Sequence, residues 1–471
     1  MKRLAITLSS LLMVFVLTAQ TKEITILSVN DIHSAIEQFP KFAAIVDSIR
    51  AEHPDALLFS GGDNRTGNPI NDIYDTPNLP IISLMNKVGF NLSTIGNHEF
   101  DGKIDNLRYT INESNFPYIC ANIYANDTLR LHIPPYKIFN INGIKIGILG
   151  LIAINDSGIP DTNPGNVAGI SFKKPANVVH EYEWLRKQCD VMILLTHNGY
   201  EDDIELSKVF PEADIIIGGH SHTSVEGTKI HNGVMITQAE RWLKYITEVK
   251  IKVENGKVIS KEAHLINVKS TKNVNSSVQA MVDEFSKNET LSQVLTQVNE
   301  FTCKEELGCL MADAFIAGSN ADIGVQNSGG VRRDTHSKGD FTVNDVYCLD
   351  PFGNELVVYN LTGEEVVRLL SAASHIDDYG PAYVGGITYE IKIGKDKNDV
   401  KELIIKNLDG TKFDLKRTYK VAMNSYLASV CEYEKQDEGK NLFIPCNEEL
   451  IKFLKTKPYF DYKGVKRVTI K

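Results

Sequence analysis

Four short clusters hold most of the chemistry available to this chain: Asp31-Ile32-His33, Gly62-Asp63-Asn64, Gly96-Asn97-His98-Glu99 and Gly218-Gly219-His220-Ser221-His222. His197 stands alone between the last two. Together they offer Asp31, His33, Asp63, Asn97, His197, His220 and His222 as donors from separate loops. Such a mixed oxygen and nitrogen set suits two divalent ions, with Zn, Mn, Co and Fe all compatible. Two ions held ~3.5–4 Å apart can hydrolyse a phosphate ester, because they acidify a shared water and clamp the oxygens on phosphorus. Asp63 is the natural bridging carboxylate. Asp31 and His33, at i and i+2 on one loop, can both turn toward a single ion. The glycines before Asp63, Asn97 and His220 allow tight turns without a Cβ clash.

Each cluster alone has a plainer reading. Asp-x-His is common, Gly-Asp after a strand is usually a turn, and a single histidine after Leu194-Leu195-Thr196 reads as a strand end. The conjunction decides between the readings. Five of the twelve histidines fall in these loops, and each loop follows an apolar run of strand type. The ligands should therefore gather at one edge of a sheet. The remaining histidines have no such context and read as surface or structural residues.

The elements that must position these loops are legible as alternating strands and helices from Thr25 to about Ile266. Ile24 to Val29, Ala56 to Ser60, Val191 to Leu195 and Asp214 to Ile217 are buried-strand runs. Phe42 to Ile49, Leu79 to Val88 and Val178 to Lys187 carry helical spacing. Tyr136 to Ile141 and Ile144 to Leu151 form a hairpin around Asn142-Gly143. This is an α/β architecture with a mixed sheet covered by helices. Asn275 suits a helix N-cap, and the apolar spacing from Val278 to Phe285 predicts a helix that bridges two domains. A second α/β unit follows from about Phe301. The organisation expected is an export signal over 1–19, a first domain over 22–266, a linker region over 267–300 and a second domain over 301–471.

Composition excludes some functions. The chain has 471 residues, 42% hydrophobic, and a formal net charge of −10. It carries no long Lys/Arg block, so a nucleic-acid duplex is an unsuitable partner. A small anionic phosphate ester can still be held by a few arginines and metal ions. Lys2 and Arg3 followed by the apolar run Leu4 to Ala19 read as an export signal, since the run is shorter than the ~20 residues of a spanning helix. A retained anchor is the alternative; with cleavage near Ala19 no membrane span remains. The seven cysteines cannot all pair within one chain, and Cys431 with Cys446 is the one pairing to consider across the C-terminal loop.

The clusters closely resemble those of calcineurin-like metallophosphoesterases, specifically the exported 5′-nucleotidase family, over nearly the whole mature chain. Asn327-Ser328-Gly329-Gly330-Val331-Arg332 looks like that family's Asn-x-Gly-Gly-Ile-Arg motif. Pro351-Phe352-Gly353-Asn354 and Leu361-Thr362-Gly363 look like its next two landmarks. The resemblance implies a four-layer αββα sandwich with mixed sheets, then a smaller α/β substrate-binding domain. It implies one metal site from Asp31, His33, Asp63 and His222, and another from Asp63, Asn97, His197 and His220. By the same resemblance His98 faces the phosphate and Asp101 fixes its tautomer. The residues agree, since a carboxylate behind an imidazole favours the cation.

The second domain then recognises substrate. Arg332 is the phosphate contact, with guanidinium donors suited to it. Arg368 is either a further contact or a solvated helix residue. Asn327, Phe352 and Asn354 belong to the recognition motifs. Tyr426 matches one base-stacking ring; Tyr383 and Tyr379 both fit the other. The family's Gly-Gly-Asp-Gly turn after the second ring is missing, and Glu432 stands near where its Asp would be. The implied activity is hydrolysis of nucleoside 5′-monophosphates by a hydroxide shared between the two ions, in the periplasm or outside the cell. The alternatives are cleavage of 2′,3′-cyclic nucleotides or nucleotide sugars, and a nucleotide-binding protein with an inactive centre. The presence of both His98 and Asp101 argues against the last.

Overall fold

The strand Lys22–Val29 shows how the first unit is layered. Ile24 and Ile26 point into one core, while Leu27 and Val29 point into another. Strand Val191–His197 divides in the same way, with Ile193 and Leu195 on one side and Met192 and Leu194 on the other. A strand buried on both faces favours a continuous apolar run over an alternating one; Val191 to Leu195 is such a run, while in Lys22–Val29 the small polar residues Thr25 and Ser28 interrupt it and are buried with the rest.

The computed structural model describes residues 21–374, 380–394 and 400–471. The expected export signal and Tyr379 lie outside them. Strands Lys257–Asn267, Tyr245–Glu254, Lys22–Val29, Leu57–Ser60, Leu92–Thr94 and Tyr118–Ile119 form one six-stranded sheet, in that order. Lys229–His231, Val234–Thr237, Ile215–Ile217, Val191–His197, Ile144–Ile152 and Tyr136–Ile141 form a second. Both sheets are mixed. The four strands from Lys22–Val29 to Tyr118–Ile119 run parallel, as do those from Val234–Thr237 to Ile144–Ile152. Ile26, Phe59 and Leu92 from the first sheet share a core with Ile148, Ile193 and Met235 from the second, so the sheets pack face to face. Helices Phe39–Glu52 and Leu79–Val88 cover the first sheet's outer face. Tyr200–Val209 and shorter helical pieces cover the second. The result is the αββα sandwich.

Two expectations need correction. Residues 178–187 do not form one helix; the segment breaks into Pro175–Val178, Val179–Tyr182 and Glu183–Arg186. Its apolar residues Val178, Val179 and Leu185 are buried, yet only short turns connect them. Helix Ser276–Phe285 is present, and Asn275 caps it by accepting from Val278 N. It does not bridge domains. Val278 and Val282 are buried in the first unit's outer core, against the helices Phe39–Glu52 and Leu79–Val88.

The second unit is built on a five-stranded sheet in the order Tyr383–Gly385, Ile323–Gln326, Thr418–Asn424, Glu355–Thr362, Lys440–Pro445. Helix Gly363–Ala373 packs on it with a full capping box, Thr362 and Glu365 exchanging bonds. Cys431 and Cys446 lie in separate clusters, and all seven cysteines are free thiols, so that pairing is not formed. Among the described residues no helix is long and apolar enough to cross a membrane.

Parallel pairing decides where function can sit. Val29 pairs with Ser60, Ser60 with Ser93, and Leu195 with Ile217. The loops leaving the C-terminal ends of these strands are therefore neighbours, as ligand-binding loops are in open α/β sheets.

Candidate metal centre

Asp31, His33, Asp63, His220 and His222 all adopt left-handed backbone conformations, with φ of 50°, 46°, 53°, 78° and 53°. For non-glycine residues such geometry costs of order 1–3 kcal/mol, and it concentrates at functional sites. The surroundings hold it in place. Asp31 N donates to Gly62 O and His33 N to Asp63 O, both at 3.0 Å, which knits the first two loops together. Glu99 ties in the third. Its buried carboxylate accepts from Asp63 N at 2.9 Å, Asn64 N at 2.8 Å and Gly96 N at 2.6 Å. Gly219 must be glycine, because a Cβ there would sit 2.6 Å from Gly61 O and 2.9 Å from His197 Nδ1.

The side chains then converge. Donor atoms of Asp31, His33 and His222 lie within 4.8 Å of one another, as do those of Asp63, His197 and His220. Asp63 Oδ2 is 3.1 Å from His197 Nε2, and donor atoms of Asp63, His33 and His98 also lie within 4.8 Å of one another, so Asp63 links the two halves through His197 on one side and His33 on the other. Asn97 Oδ1 is 3.1 Å from His197 Nε2 and 3.0 Å from His220 Nδ1.

The donor set fits cations. A backbone carbonyl can only accept, so His33 Nδ1, 2.9 Å from Thr66 O, and His197 Nδ1, 2.7 Å from Gly61 O, both carry protons. That directs each Nε2 into the cluster, the second-layer arrangement of metal-binding histidines. His33 Nε2 faces His222 Nε2 at 3.0 Å. Asp31 is fully buried, and its Oδ1 accepts no hydrogen bond, although His222 Nε2 lies 3.3 Å away. A fully buried carboxylate set among imidazoles is a costly arrangement unless positive charge joins it.

Charge in the metal-free protein is supplied by protons. Burial pushes the His197 imidazolium down, but Asp63 and Asp31 outweigh it and hold it up at about 10. A cation entering near His197 must therefore expel a proton. Metal affinity of the metal-free protein should strengthen about tenfold per pH unit between pH 7 and 9. Calorimetric titration in two buffers of different ionisation heat checks the proton count; identical heats would refute it.

His98 has different surroundings. Its Nδ1 lies 2.7 Å from Asp101 Oδ2, which turns Nε2 toward the cavity. Burial lowers its pKa, but Asp63 and Asp101 outweigh that and raise it above the ordinary imidazole value. Phe352 from the second unit stacks over the ring, with centroids 5.8 Å apart at 22°.

A cavity of about 1340 Å³ opens over the cluster, lined by Asp63, Asn97, His98 and Asp101 from the first unit. Asn327, Arg332, Phe352, Asn354 and Tyr426 line it from the second. Arg332 Nη2 reaches within 3.3 Å of His33 Nε2. Beside it, Asp334 pairs with Arg241 of the first unit at 2.7 Å, and Arg241 Nη1 is 3.3 Å from His222 Nδ1. Three expected recognition residues lie elsewhere. Arg368 Nε donates to Glu434 O, and Arg368 does not line the cavity. The Tyr383 ring packs tightly against Gly308, and Tyr383 belongs to a separate apolar cluster. Glu432 is exposed and does not line the cavity.

The calcineurin-like phosphoesterase family model matches residues 24–224, and the 5′-nucleotidase C-terminal domain model matches residues 284–433. A 5′-nucleotidase of Vibrio parahaemolyticus is 31% identical over 414 residues, covering 75% of this chain and 73% of that protein. Silent protein UshA(0) of Salmonella typhimurium is 30% identical over 504 residues, 89% of each chain. This chain belongs to the 5′-nucleotidase family. It is a metal-dependent phosphoester hydrolase. The crystal structure of a 5′-nucleotidase precursor from Thermus thermophilus shares the fold, with a TM-score of 0.85 at 22% identity over 95% of this chain and 99% of that one.

Within this 5′-nucleotidase family fold, sequence reasoning missed the residues that hold the ligands. Glu99 lay inside a quoted motif but had no role. Asn30 donates to Asp31 Oδ2 at 2.6 Å and accepts from Ala239 N. Only adjacency to Asp31 marked it. Arg241 and Asp334 carried no local signal at all.

Proposed function

We propose that the chain is a two-metal phosphomonoesterase that hydrolyses nucleoside 5′-monophosphates to nucleoside and phosphate outside the cytoplasm. The observation that carries this reading is Asp63, set between two groups of candidate ligands beneath a cavity walled by a second unit. Two divalent cations bound there would supply charge neutralisation at phosphorus and acidify the attacking water. One would be held by Asp31, His33, Asp63 and His222, the other by Asp63, Asn97, His197 and His220. His98, held by Asp101, directs Nε2 at the phosphate oxygens, where an imidazolium stabilises developing negative charge. Arg332 adds donors from the opposite wall. Phe352 limits water around His98. Tyr426 and Asn354 flank the space left for the leaving group. Export is supported by the basic and apolar N-terminal run.

The test is a substrate panel on metal-loaded mature protein: nucleoside 5′-monophosphates, 2′,3′-cyclic nucleotides, nucleotide sugars and an aryl phosphate, each with and without chelator. Fastest chelator-sensitive turnover on the 5′-monophosphates is expected. Preference for a diester would overturn the substrate assignment, and no turnover at all would overturn the enzyme.

Arg332 also carries its own prediction. Its position beside His33 is at the phosphate end, so Arg332→Ala should raise KM about 10–100-fold for nucleotide and aryl phosphate alike, from loss of a charge-assisted contact. Tyr426→Ala should raise KM for nucleotides only. A nucleotide-selective effect from Arg332→Ala would move that side chain away from the phosphate.

A further inference from the structure

Asp161 touches two candidate ligands at once. It lies on the loop after the strand Ile144–Ile152, at the rim of the cavity. Its backbone carbonyl accepts from Asn97 Nδ2 at 3.0 Å. Its carboxylate Oδ2 lies 3.6 Å from His220 Nε2. The loop is braced: Asp161 Oδ1 accepts from Asn155 Nδ2 at 3.1 Å, and Asn155 N donates to Ile159 O at 2.9 Å.

These contacts dictate which atoms face inward. A carbonyl only accepts, so the Asn97 amide must present its NH2 to Asp161 and turn Oδ1 toward His197 and His220. At the other ligand, a carboxylate beside His220 Nε2 favours the tautomer with its proton there. Nδ1 is then a lone pair, 3.0 Å from Asn97 Oδ1. His197 Nε2, its ring proton committed to Gly61 O, completes the group. Three acceptors so arranged require a cation or a proton among them.

We propose that Asp161 is a positioning residue that orients Asn97 and His220 together and so sets the affinity of the ion they share. The proposal rests on the metal-centre reading above. No motif marks the residue: Gly158-Ile159-Pro160-Asp161-Thr162 reads as an ordinary turn. The alternative is that Asp161 is only a loop acid, its side chain half exposed.

Cobalt titration of the metal-stripped mature chain tests it, reading visible absorption of the bound ion and total cobalt by elemental analysis. Asp161→Ala keeps the carbonyl that Asn97 donates to and removes only the carboxylate beside His220; it should weaken one of two ions by roughly 10–100-fold and leave the other at wild-type affinity. His220→Ala should remove that same ion. Asp161→Asn, which keeps an acceptor oxygen, should lose less. Wild-type affinity for both ions in Asp161→Ala would overturn the proposal, and so would equal weakening of both. Uptake of fewer than two ions by the unsubstituted chain is the separate result that would overturn the centre itself, and this proposal with it.

Discussion

His98→Ala should lower turnover by roughly two to four decades while metal content stays at the wild-type level. The expectation follows from three features of the ring. Asp101 holds Nδ1 at 2.7 Å, so Nε2 alone is presented to the cavity. Asp63 and Asp101 favour the imidazolium over the pull of burial. In the proposed assignment neither ion takes His98 as a donor, although its ring lies within reach of the His33 and Asp63 donor atoms. Removing the ring should therefore remove charge stabilisation at phosphorus and little else. Steady-state kinetics paired with elemental analysis distinguish the outcomes. Near-normal turnover would refute the role. Lost metal would show that His98 is a ligand after all.

Asp63→Asn should cost the centre metal rather than merely slow turnover. Asp63 is buried, and its carboxylate lies close to both His197 and His98. An amide of the same shape removes the negative charge that two neighbouring cations share. The variant should retain the fold, since Asp63 N still reaches Glu99 and Asp63 O still accepts from His33 N. Elemental analysis should find at least one of the two ions lost, and activity should fall to background. Asp63→Ala should do the same, with an added fold cost from placing Ala at φ 53°. Full occupancy of both positions in Asp63→Asn would contradict the bridging assignment.

A sheet covered by helices was legible because its strands are buried on both faces; the four-layer sandwich came from the family resemblance. Ile24 to Val29 and Val191 to Leu195 have no polar face to offer solvent, so their apolar runs announce sheets covered on each side. The N-cap at Asn275 was legible for a similarly local reason: it bonds a backbone group three residues on. Failures came where distant packing overrode local pattern. The Val178 to Lys187 spacing fits a helix, but burial of Val178, Val179 and Leu185 under the second sheet is met by short turns. The helix after Asn275 was legible, yet which core it joins depended on the partners Val278 and Val282 found in space.

The candidate donors were set by residue type alone: seven side chains able to hold cations, each after a strand, in an order the family shares. That information is local, because lone pairs and tight glycine turns belong to individual residues. What those donors face is not local. Glu99 binding Asp63 N, Asp161 accepting from Asn97, and Asp334 reaching Arg241 across the two units join residues 36 to 93 positions apart. The first two arise because parallel strands bring loop ends together, and the third because the second unit packs over those loops. Tertiary structure alone therefore decided which nitrogen of each imidazole points inward, and that Tyr383 packs on a helix while Tyr426 meets the cavity.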